Sequence, residues 1–153
     1  MDIRLLGPRD AAVLTRVASG VFDHDPVPEL TEEFLLDDRH HLVVAIDDGV
    51  VVGFVSAVHY VHPDKPTELW INEVAVAASH QRRGLGRQLL RTMLQAGVEL
   101  RCREAWVLTN RSNTSAMRLY SSVNGGEDPE DTVMFTFRLP EAEAGLGAGQ
   151  RIL

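Results

Sequence analysis

The chain has 153 residues, of which 44% are hydrophobic and 24% are charged, and its formal net charge is −7. This length is enough to bury one well-packed core but short for two, so a single domain is predicted. The acidity argues against nucleic acid as the main partner, because binding along a duplex needs an extended basic surface. The single cysteine, Cys102, excludes an internal disulfide and a cysteine-based metal cage. No apolar run approaches the roughly 20 residues of a membrane helix and no signal-peptide pattern is visible, so the expected compartment is the cytoplasm.

The first half of the chain predicts one strand and two helices, followed by a hairpin of two further strands. A short strand at 2–6 precedes a helix at 11–21, and residues 29–36 predict a second helix. An Asp-Gly pair then separates two runs rich in β-formers, 41–46 and 50–60. Because Asp-Gly supplies the positive φ angles of a tight turn, these runs predict an antiparallel hairpin.

The central stretch, residues 68–100, predicts a strand, a basic glycine turn and an amphipathic helix. Leu85, Leu89, Met93, Ala96 and Leu100 recur every three or four residues, which is typical of one buried helix face. A helix that connects two strands of one sheet predicts that the strands run parallel.

The C-terminal part predicts a strand at 105–109, a short helix capped by Ser112-Asn113 and a last alternating strand at 132–139. The domain is therefore expected to span 1–140. Residues 141–153 are rich in Glu, Ala and Gly and are expected to form a mobile tail.

The turn before the central helix is a candidate anion site. Gly84 and Gly86 allow a ligand to approach the backbone, the first N–H groups of a helix lack internal partners, and Arg82, Arg83 and Arg87 add positive charge. Taken alone, this pattern suits any anion.

Two motifs together resemble the acetyl-CoA site of the GCN5-related N-acetyltransferase (GNAT) superfamily. Gln81-Arg82-Arg83-Gly84-Leu85-Gly86 follows one strand, and Asn113-x-x-Ala116-x-x-Leu119-Tyr120 follows the next. The resemblance covers about residues 3–139. It implies a mixed, twisted α/β sheet of six or seven strands flanked by about four helices, with acetyl-CoA between strands four and five. The positions that match the family's cofactor-binding segments are Val74, Ala75, Val76, Gln81, Arg82, Arg83, Gly84, Leu85, Gly86, Arg87, Asn113 and Tyr120.

A narrower resemblance is to the type I aminoglycoside 3-N-acetyltransferases. It is carried by Phe22-Asp23-His24-Asp25, by a His-Pro loop after the third strand, by an acid just before Val74-Ala75-Val76, and by Val133-Met134-Phe135. The chain departs from the family pattern after Tyr120, where no aromatic residue follows the glycines. The resemblance implies acetyl transfer to a primary amine of a small polycationic acceptor, most simply the 3-N amine of an aminoglycoside, and a homodimer is common in the family.

Two other functions stay open at this point. The acceptor could be a polyamine or a peptide amine, or the chain could be a non-catalytic domain that binds CoA as a sensor or docks on a partner protein. Retention of Glu73, Tyr120 and the glycine turn favours catalysis.

The resemblance also implies roles in the chemistry. Glu73 is the expected base that deprotonates the ammonium, and Tyr120 is the expected acid that protonates the departing thiolate. The N–H of Val74 would stabilise the thioester oxyanion if a bulge freed it from the sheet. The alternatives are that Glu73 pairs with an arginine at the surface and that Tyr120 only packs on the sheet.

Acids are concentrated in two clusters that border the expected acceptor side. Residues 23–38 contain seven acids and no Lys or Arg, and residues 127–131 contain four acids. Such clusters are either solvated faces or cation-binding surfaces. Trp70 and Trp106 are expected in the core, and no metal site is expected because the histidine pairs lack a third ligand. The substrate-binding candidates are Asp23, Asp25, Glu29, His59, Tyr60, Glu73, Glu127 and Asp128.

Overall fold

The computed structural model describes residues 1–139, which form a five-stranded sheet in the order β1-β2-β3-β4-β5. Its strands are β1 (Asp2–Leu5), β2 (His40–Asp47), β3 (Val50–Tyr60), β4 (Glu68–Val76) and β5 (Glu104–Val107). The first four strands pair antiparallel, and β5 pairs parallel with β4, as predicted. The helices of these residues are α1 (Pro28–Leu36), α2 (Leu85–Glu99) and α3 (Thr114–Ser121), with short 3-10 helices at Ala11–Thr15 and Ala78–His80. The predicted α/β class is confirmed, with five strands and three α-helices in the described residues.

The predicted hairpin between β2 and β3 is confirmed. Asp48 has φ +48° and Gly49 has φ +74°, so both central residues of the turn are left-handed. A turn of this kind matches the right-handed twist of the strands that it joins, which explains why the Asp-Gly pair predicts it well.

A large part of the core lies between the sheet and α2, and Leu14 of the first 3-10 helix and Leu35 of α1 belong to the same buried cluster. The predicted stripe is confirmed for Leu85, Leu89, Met93 and Ala96, which are all buried, while Leu100 at the C-terminal cap is half-buried. Near the end of the helix, a Cβ built on Gly97 would lie 3.0 Å from a methyl group of Leu69 on β4. Glycine thus lets α2 approach the sheet closely at that point.

The prediction of a helix at 11–21 is wrong for most of that range. Only Ala11–Thr15 is helical, as a 3-10 helix, and Val17 forms a parallel bridge with Val51. The N–H of Ala18 donates to the carbonyl of Val51 at 2.8 Å. Residues 16–18 thus form backbone hydrogen bonds with the edge of β3 instead of the helical hydrogen bonds that the apolar periodicity predicts.

The prediction of a strand at 132–139 is also wrong. These residues have no regular secondary structure, and their large apolar side chains are exposed. Alternation shows only that a segment suits a sheet, whereas a strand also needs a partner that accepts its backbone hydrogen bonds. The tail predicted at 141–153 lies outside the described residues, and within those residues no helix has the length and apolarity to cross a membrane.

Candidate active site

A β-bulge interrupts the middle of β4. Ser56 of β3 pairs with Glu73 and its neighbour Ala57 pairs with Ile71, so Asn72 has no partner. Bulges twist a strand and redirect its side chains, and they are common beside active sites. The irregularity that was required to free a backbone N–H near Val74 is therefore present, one residue before Glu73.

The register decides which side chains share a face with Glu73. Because side chains alternate along a strand, Ser56 and Tyr60 lie on the same face of the sheet as Glu73. Ala57 and His59 lie on the opposite face, where Leu69 packs against α2. We refer to the first of these surfaces as the Glu73 face.

The pairing between β4 and β5 ends just before the bulge. The last register pair is Ile71 with Val107, while residues Glu73 to Val76 continue to pair with β3 on the other side. This part of β4 consequently offers backbone groups that no β5 residue occupies. An extended ligand can add to such an edge by main-chain hydrogen bonds.

Asp23 is placed beside Glu73 by an aromatic anchor. The ring of Phe22 stacks on Phe54 of β3 with centroids 4.1 Å apart and an interplanar angle of 11°. Although the Glu73 residue as a whole is exposed, the surrounding protein displaces water from its carboxyl and raises its pKa. The negative charge of Asp23 raises that pKa further. A carboxylate with a raised pKa is a stronger base.

The glycine turn is held in an unusual backbone conformation. Gly84 caps α2 with φ +78°, and Arg82 is also left-handed, with φ +58°. The side-chain amide of Gln81 donates to the carbonyl of Val76 at 2.9 Å, which ties the turn to the end of β4. A Cβ built on Gly84 would meet no heavy atom within 4 Å, so the space above the turn is open.

The three arginines of the turn are available to a ligand. Arg82, Arg83 and Arg87 are exposed, and none of them forms an ion pair with another residue of 1–139. The helix also lacks a side-chain cap at its N-terminus. Positive charge and unpaired N–H groups therefore occur together at this turn.

Helix α3 carries the second motif. The carboxamide oxygen of Asn113 accepts from the N–H of Ala116 at 3.1 Å, so the predicted cap is confirmed. Tyr120 is half-buried against the core, and burial raises the pKa of its phenol. The phenol therefore keeps its proton at neutral pH. Its neighbour Leu119 packs close to Gly86, which places α3 next to the glycine turn.

The end of α3 is tight despite the departure from the family pattern. Asn124 takes a left-handed conformation with φ +68°, and the N–H of Gly125 donates to the carbonyl of Tyr120 at 3.0 Å. A Cβ on Gly125 would stand 2.9 Å from that carbonyl oxygen. Asn and Gly thus supply the helix end without an aromatic residue.

The N-terminal acid cluster lines two surface clefts near α1. Asp25 lies in a cleft between the first 3-10 helix and α1, of about 690 Å³. Glu29 lies in a neighbouring cleft along α1, of about 870 Å³, with other acids of the cluster. Of the acceptor candidates in this segment, the structure brings Asp23 to Glu73.

The second acid cluster is partly engaged. Glu127 forms an ion pair with Arg111 at 2.8 Å, and the carboxylate of Asp128 accepts from the N–H of Glu130 at 2.8 Å. Both side chains are exposed, and the charge of Glu127 is offset by its partner.

Two further acceptor candidates have protein partners. His59 lies away from the Glu73 face and its ring bonds the buried ring of His41 at 2.7 Å. Burial lowers the pKa of His41 to about 4, and His59 and His40 contribute in the same direction. The hydroxyl of Tyr60 donates to Glu68 at 2.7 Å, so it is engaged within the protein. Among residues 1–139 no cluster of three or more His, Cys, Asp or Glu side chains suits a metal ion.

The tryptophans are a feature that sequence reasoning missed. Trp70 is 39% exposed and stacks on Trp106, so this pair is not in the core. Trp70 pairs with Val58, which puts it on the Glu73 face. No local signal in the sequence identifies this placement, because only the strand register shows the bulge between Trp70 and Glu73.

Comparison with known sequences supplies the family. Residues 11–125 match the model of the Acetyltransferase (GNAT) family. Over 111 residues the chain is 28% identical to the Aminoglycoside N(6')-acetyltransferase type 1 of Salmonella typhimurium, covering 70% of this chain and 76% of that protein. Over 52 residues it is 42% identical to the L-2,4-diaminobutyric acid acetyltransferase of Virgibacillus pantothenticus, covering 34% of this chain and 31% of that protein. The chain thus spans about a third of the second relative.

A solved structure agrees with the fold. An aminoglycoside acetyltransferase from an uncultured soil metagenomic sample, in complex with trehalose, superimposes with a TM-score of 0.78 at 22% identity. The match covers 91% of this chain and 96% of that one. The two sequence relatives are named for the N(6') position and for diaminobutyric acid, so neither supports the 3-N position specifically. Since the family model covers most of the chain and the fold agrees with it, the chain belongs to the GNAT acetyltransferase family, whose members use acetyl-CoA as acyl donor.

Proposed function

We propose that the protein acetylates a primary amine of an aminoglycoside, at the 3-N position, with acetyl-CoA as donor. The observation that carries this proposal is Glu73, a carboxylate of raised pKa that follows the bulge in β4 and has Asp23 beside it. An acceptor with several ammonium groups suits such a site, because one carboxylate can remove a proton while the other attracts a second ammonium.

The residues present fit acetyl-CoA. Open space above the left-handed Gly84, three arginines and the uncapped N-terminus of α2 suit the pyrophosphate. The part of β4 from Val74 to Val76, which β5 leaves unpaired, suits the pantetheine arm. Asn113 still has its side-chain N–H groups for the cofactor, because its cap uses only the carboxamide oxygen.

The chain's own residues then divide the proton transfers. When bound, acetyl-CoA supplies the thioester carbonyl that the amine attacks. Glu73 takes a proton from the acceptor ammonium, so that the nitrogen lone pair becomes available. Tyr120, protonated at neutral pH, gives a proton to the leaving sulfur, and the N–H of Val74 stabilises the oxyanion.

Several observations support a polycationic acceptor. The formal net charge is −7, and exposed acids occupy the segment from Asp23 into α1. One relative is named an aminoglycoside N(6')-acetyltransferase, and the structural neighbour is named an aminoglycoside acetyltransferase. The 3-N position rests on the resemblance carried by Phe22-Asp23-His24-Asp25 and by the acid before Val74.

A second candidate acceptor is a short diamine. The relative named for diaminobutyric acid favours it, since that acceptor also presents a primary amine beside other charged groups. The two candidates differ in size, and a direct comparison of substrates separates them.

The test is thiol release from acetyl-CoA with gentamicin-type aminoglycosides, diaminobutyrate and spermidine, followed by NMR of the acetylated product. We expect aminoglycoside turnover with the acetyl group on the 3-amine. Glu73→Gln should lower kcat by about 10²-fold, with a deficit that shrinks as the pH rises and free amine becomes abundant. The matched control is Glu99→Gln, an exposed residue on α2 that should leave turnover unchanged.

Two results would overturn the proposal. Tight CoA binding without turnover of any amine would favour the sensor function. Acetylation of another amine, or of diaminobutyrate alone, would overturn the 3-N or the aminoglycoside assignment.

A further inference from the structure

An exposed aromatic pair lies on the Glu73 face, outside the residues that perform the chemistry. Trp70 of β4 and Trp106 of β5 are register partners, with ring centroids 5.3 Å apart and an interplanar angle of 9°. Trp70 keeps 39% of its surface exposed. Large aromatic side chains at the surface commonly contribute to binding, because they offer contact area at low entropic cost.

The pair is held in place by a chain of polar contacts. The indole N–H of Trp106 donates to the hydroxyl of Tyr60 at 2.8 Å, and that hydroxyl donates to Glu68 at 2.7 Å. Glu68 in turn forms an ion pair with Lys65 at 2.9 Å. The aromatic surface is therefore ordered before any ligand arrives, which reduces the entropy that binding must lose.

On the Glu73 face, helix α1 covers only one end of the row of residues that contains the tryptophans. The row of register partners that contains the tryptophans begins at His40 on β2 and passes through Val58 on β3. Phe34 of α1 packs edge-on against His40 with centroids 4.8 Å apart. Coverage by α1 thus lies at the β2 end, and the indole of Trp70 stays accessible at the other.

Trp70 lies close to Glu73 along the sheet. The two residues are on the same face of β4, and because the bulge leaves Asn72 unpaired they stand opposite Val58 and Ser56, which are two residues, or about 7 Å, apart at the usual strand rise. Glu104 is also on this face, two residues before Trp106, and it forms no ion pair within residues 1–139. Apolar rings and a free carboxylate together suit a ring that carries an ammonium group.

We propose that Trp70, Trp106 and Glu104 form an acceptor subsite that binds a second amino-sugar ring while the reacting amine lies at Glu73. This inference rests on the proposed aminoglycoside acetyltransferase function. The second ring stacks on Trp70, and one of its ammonium groups faces Glu104. The two amines of a diaminobutyrate molecule are only about 5 Å apart at ordinary bond lengths, so a short diamine cannot occupy both places.

The subsite is tested by comparing a multi-ring with a single-ring acceptor. The probes are gentamicin and 2-deoxystreptamine, the single ring that carries the 3-amine. Trp70→Ala should raise the KM for gentamicin about tenfold and leave kcat and the KM for acetyl-CoA unchanged. The KM for 2-deoxystreptamine should stay at the wild-type value, and Trp70→Phe should retain most of the gentamicin affinity.

Two further variants control the experiment. Val98→Ala, on the exposed side of α2, removes exposed apolar atoms away from the site and should change neither KM. Glu104→Gln should raise the KM for gentamicin and weaken its dependence on salt. Thermal melting of each variant verifies that the fold is retained.

The outcomes separate this inference from the function on which it rests. A wild-type enzyme that acetylates no aminoglycoside would overturn the proposed function. A wild-type enzyme that acetylates gentamicin, with an unchanged KM in Trp70→Ala, would overturn the subsite alone. An equal rise in KM for gentamicin and 2-deoxystreptamine would also overturn it, because in this proposal only the second ring contacts Trp70.

Discussion

The two glycines of the basic turn motif, Gly84 and Gly86, are equivalent in the sequence pattern but differ in the structure. Gly84 has φ +78° and open space where a Cβ would stand. Gly86 lies inside α2 without a positive φ, and a Cβ there would touch Leu119 at an ordinary 3.5 Å. Gly84→Ala should therefore strain the backbone without a clash, whereas Gly86→Ala should be accommodated.

The expected magnitudes follow from this difference. A left-handed conformation costs a residue with a side chain about 1–2 kcal/mol. In Gly86→Ala the replacement of Gly by Ala within a helix should stabilise it by up to about 1 kcal/mol. If the left-handed turn is the form that binds pyrophosphate, its strain should raise the KM for acetyl-CoA in Gly84→Ala by about 5- to 30-fold. The KM for acetyl-CoA of Gly84→Asn should lie between those of the wild type and Gly84→Ala, because Asn tolerates the left-handed conformation better than Ala.

The assay is the KM for acetyl-CoA at saturating amine, together with the melting temperature of each variant. We expect Gly84→Ala to raise the KM and lower the melting temperature, and Gly86→Ala to do neither. A wild-type KM and melting temperature in Gly84→Ala would refute the argument from the φ angle. An equal loss in Gly86→Ala would show that the motif needs both glycines for another reason.

Two further predictions concern pH. Asp23→Asn removes a negative charge that helps to raise the pKa of Glu73, so the acidic limb of the kcat–pH profile should move to lower pH. The control Asp25→Asn should leave this limb in place. An unmoved limb in Asp23→Asn would contradict the proximity of the Asp23 and Glu73 carboxylates. The pKa of His41 is lowered from 6.5 to about 4 in the folded protein, so the unfolded chain binds the extra proton between these values and stability should fall as pH drops through that window. The loss amounts to about 3 kcal/mol at most, and denaturant unfolding of His41→Gln should show a flatter dependence on pH than the wild type.

Local chemistry determined much of the fold from the sequence alone. The Asp-Gly turn, the apolar stripe of α2 and the Asn113 cap each depend on a few neighbouring residues, and each is confirmed. The glycine turn and the second motif could also be recognised from the sequence alone, and they indicated the correct family.

Pairing and register were decided by the tertiary structure. Val17 leaves its predicted helix because the edge of β3 accepts its backbone, and residues 132–139 stay unpaired although they alternate like a strand. Strand propensity describes which conformation a segment favours. Strand pairing also needs a partner strand at hydrogen-bonding distance, and the sequence of one segment does not specify that partner.

The bulge at Asn72 has the largest consequence for the site. Side chains alternate with a period of two, so one extra residue changes which face every later side chain occupies. The sequence named Glu73 as the base, but only the register shows that Trp70 shares its face and that His59 points to the opposite face. The residues proposed for the chemistry were thus named from local motifs, whereas the surface proposed for the acceptor depends on the packing of strands distant in sequence.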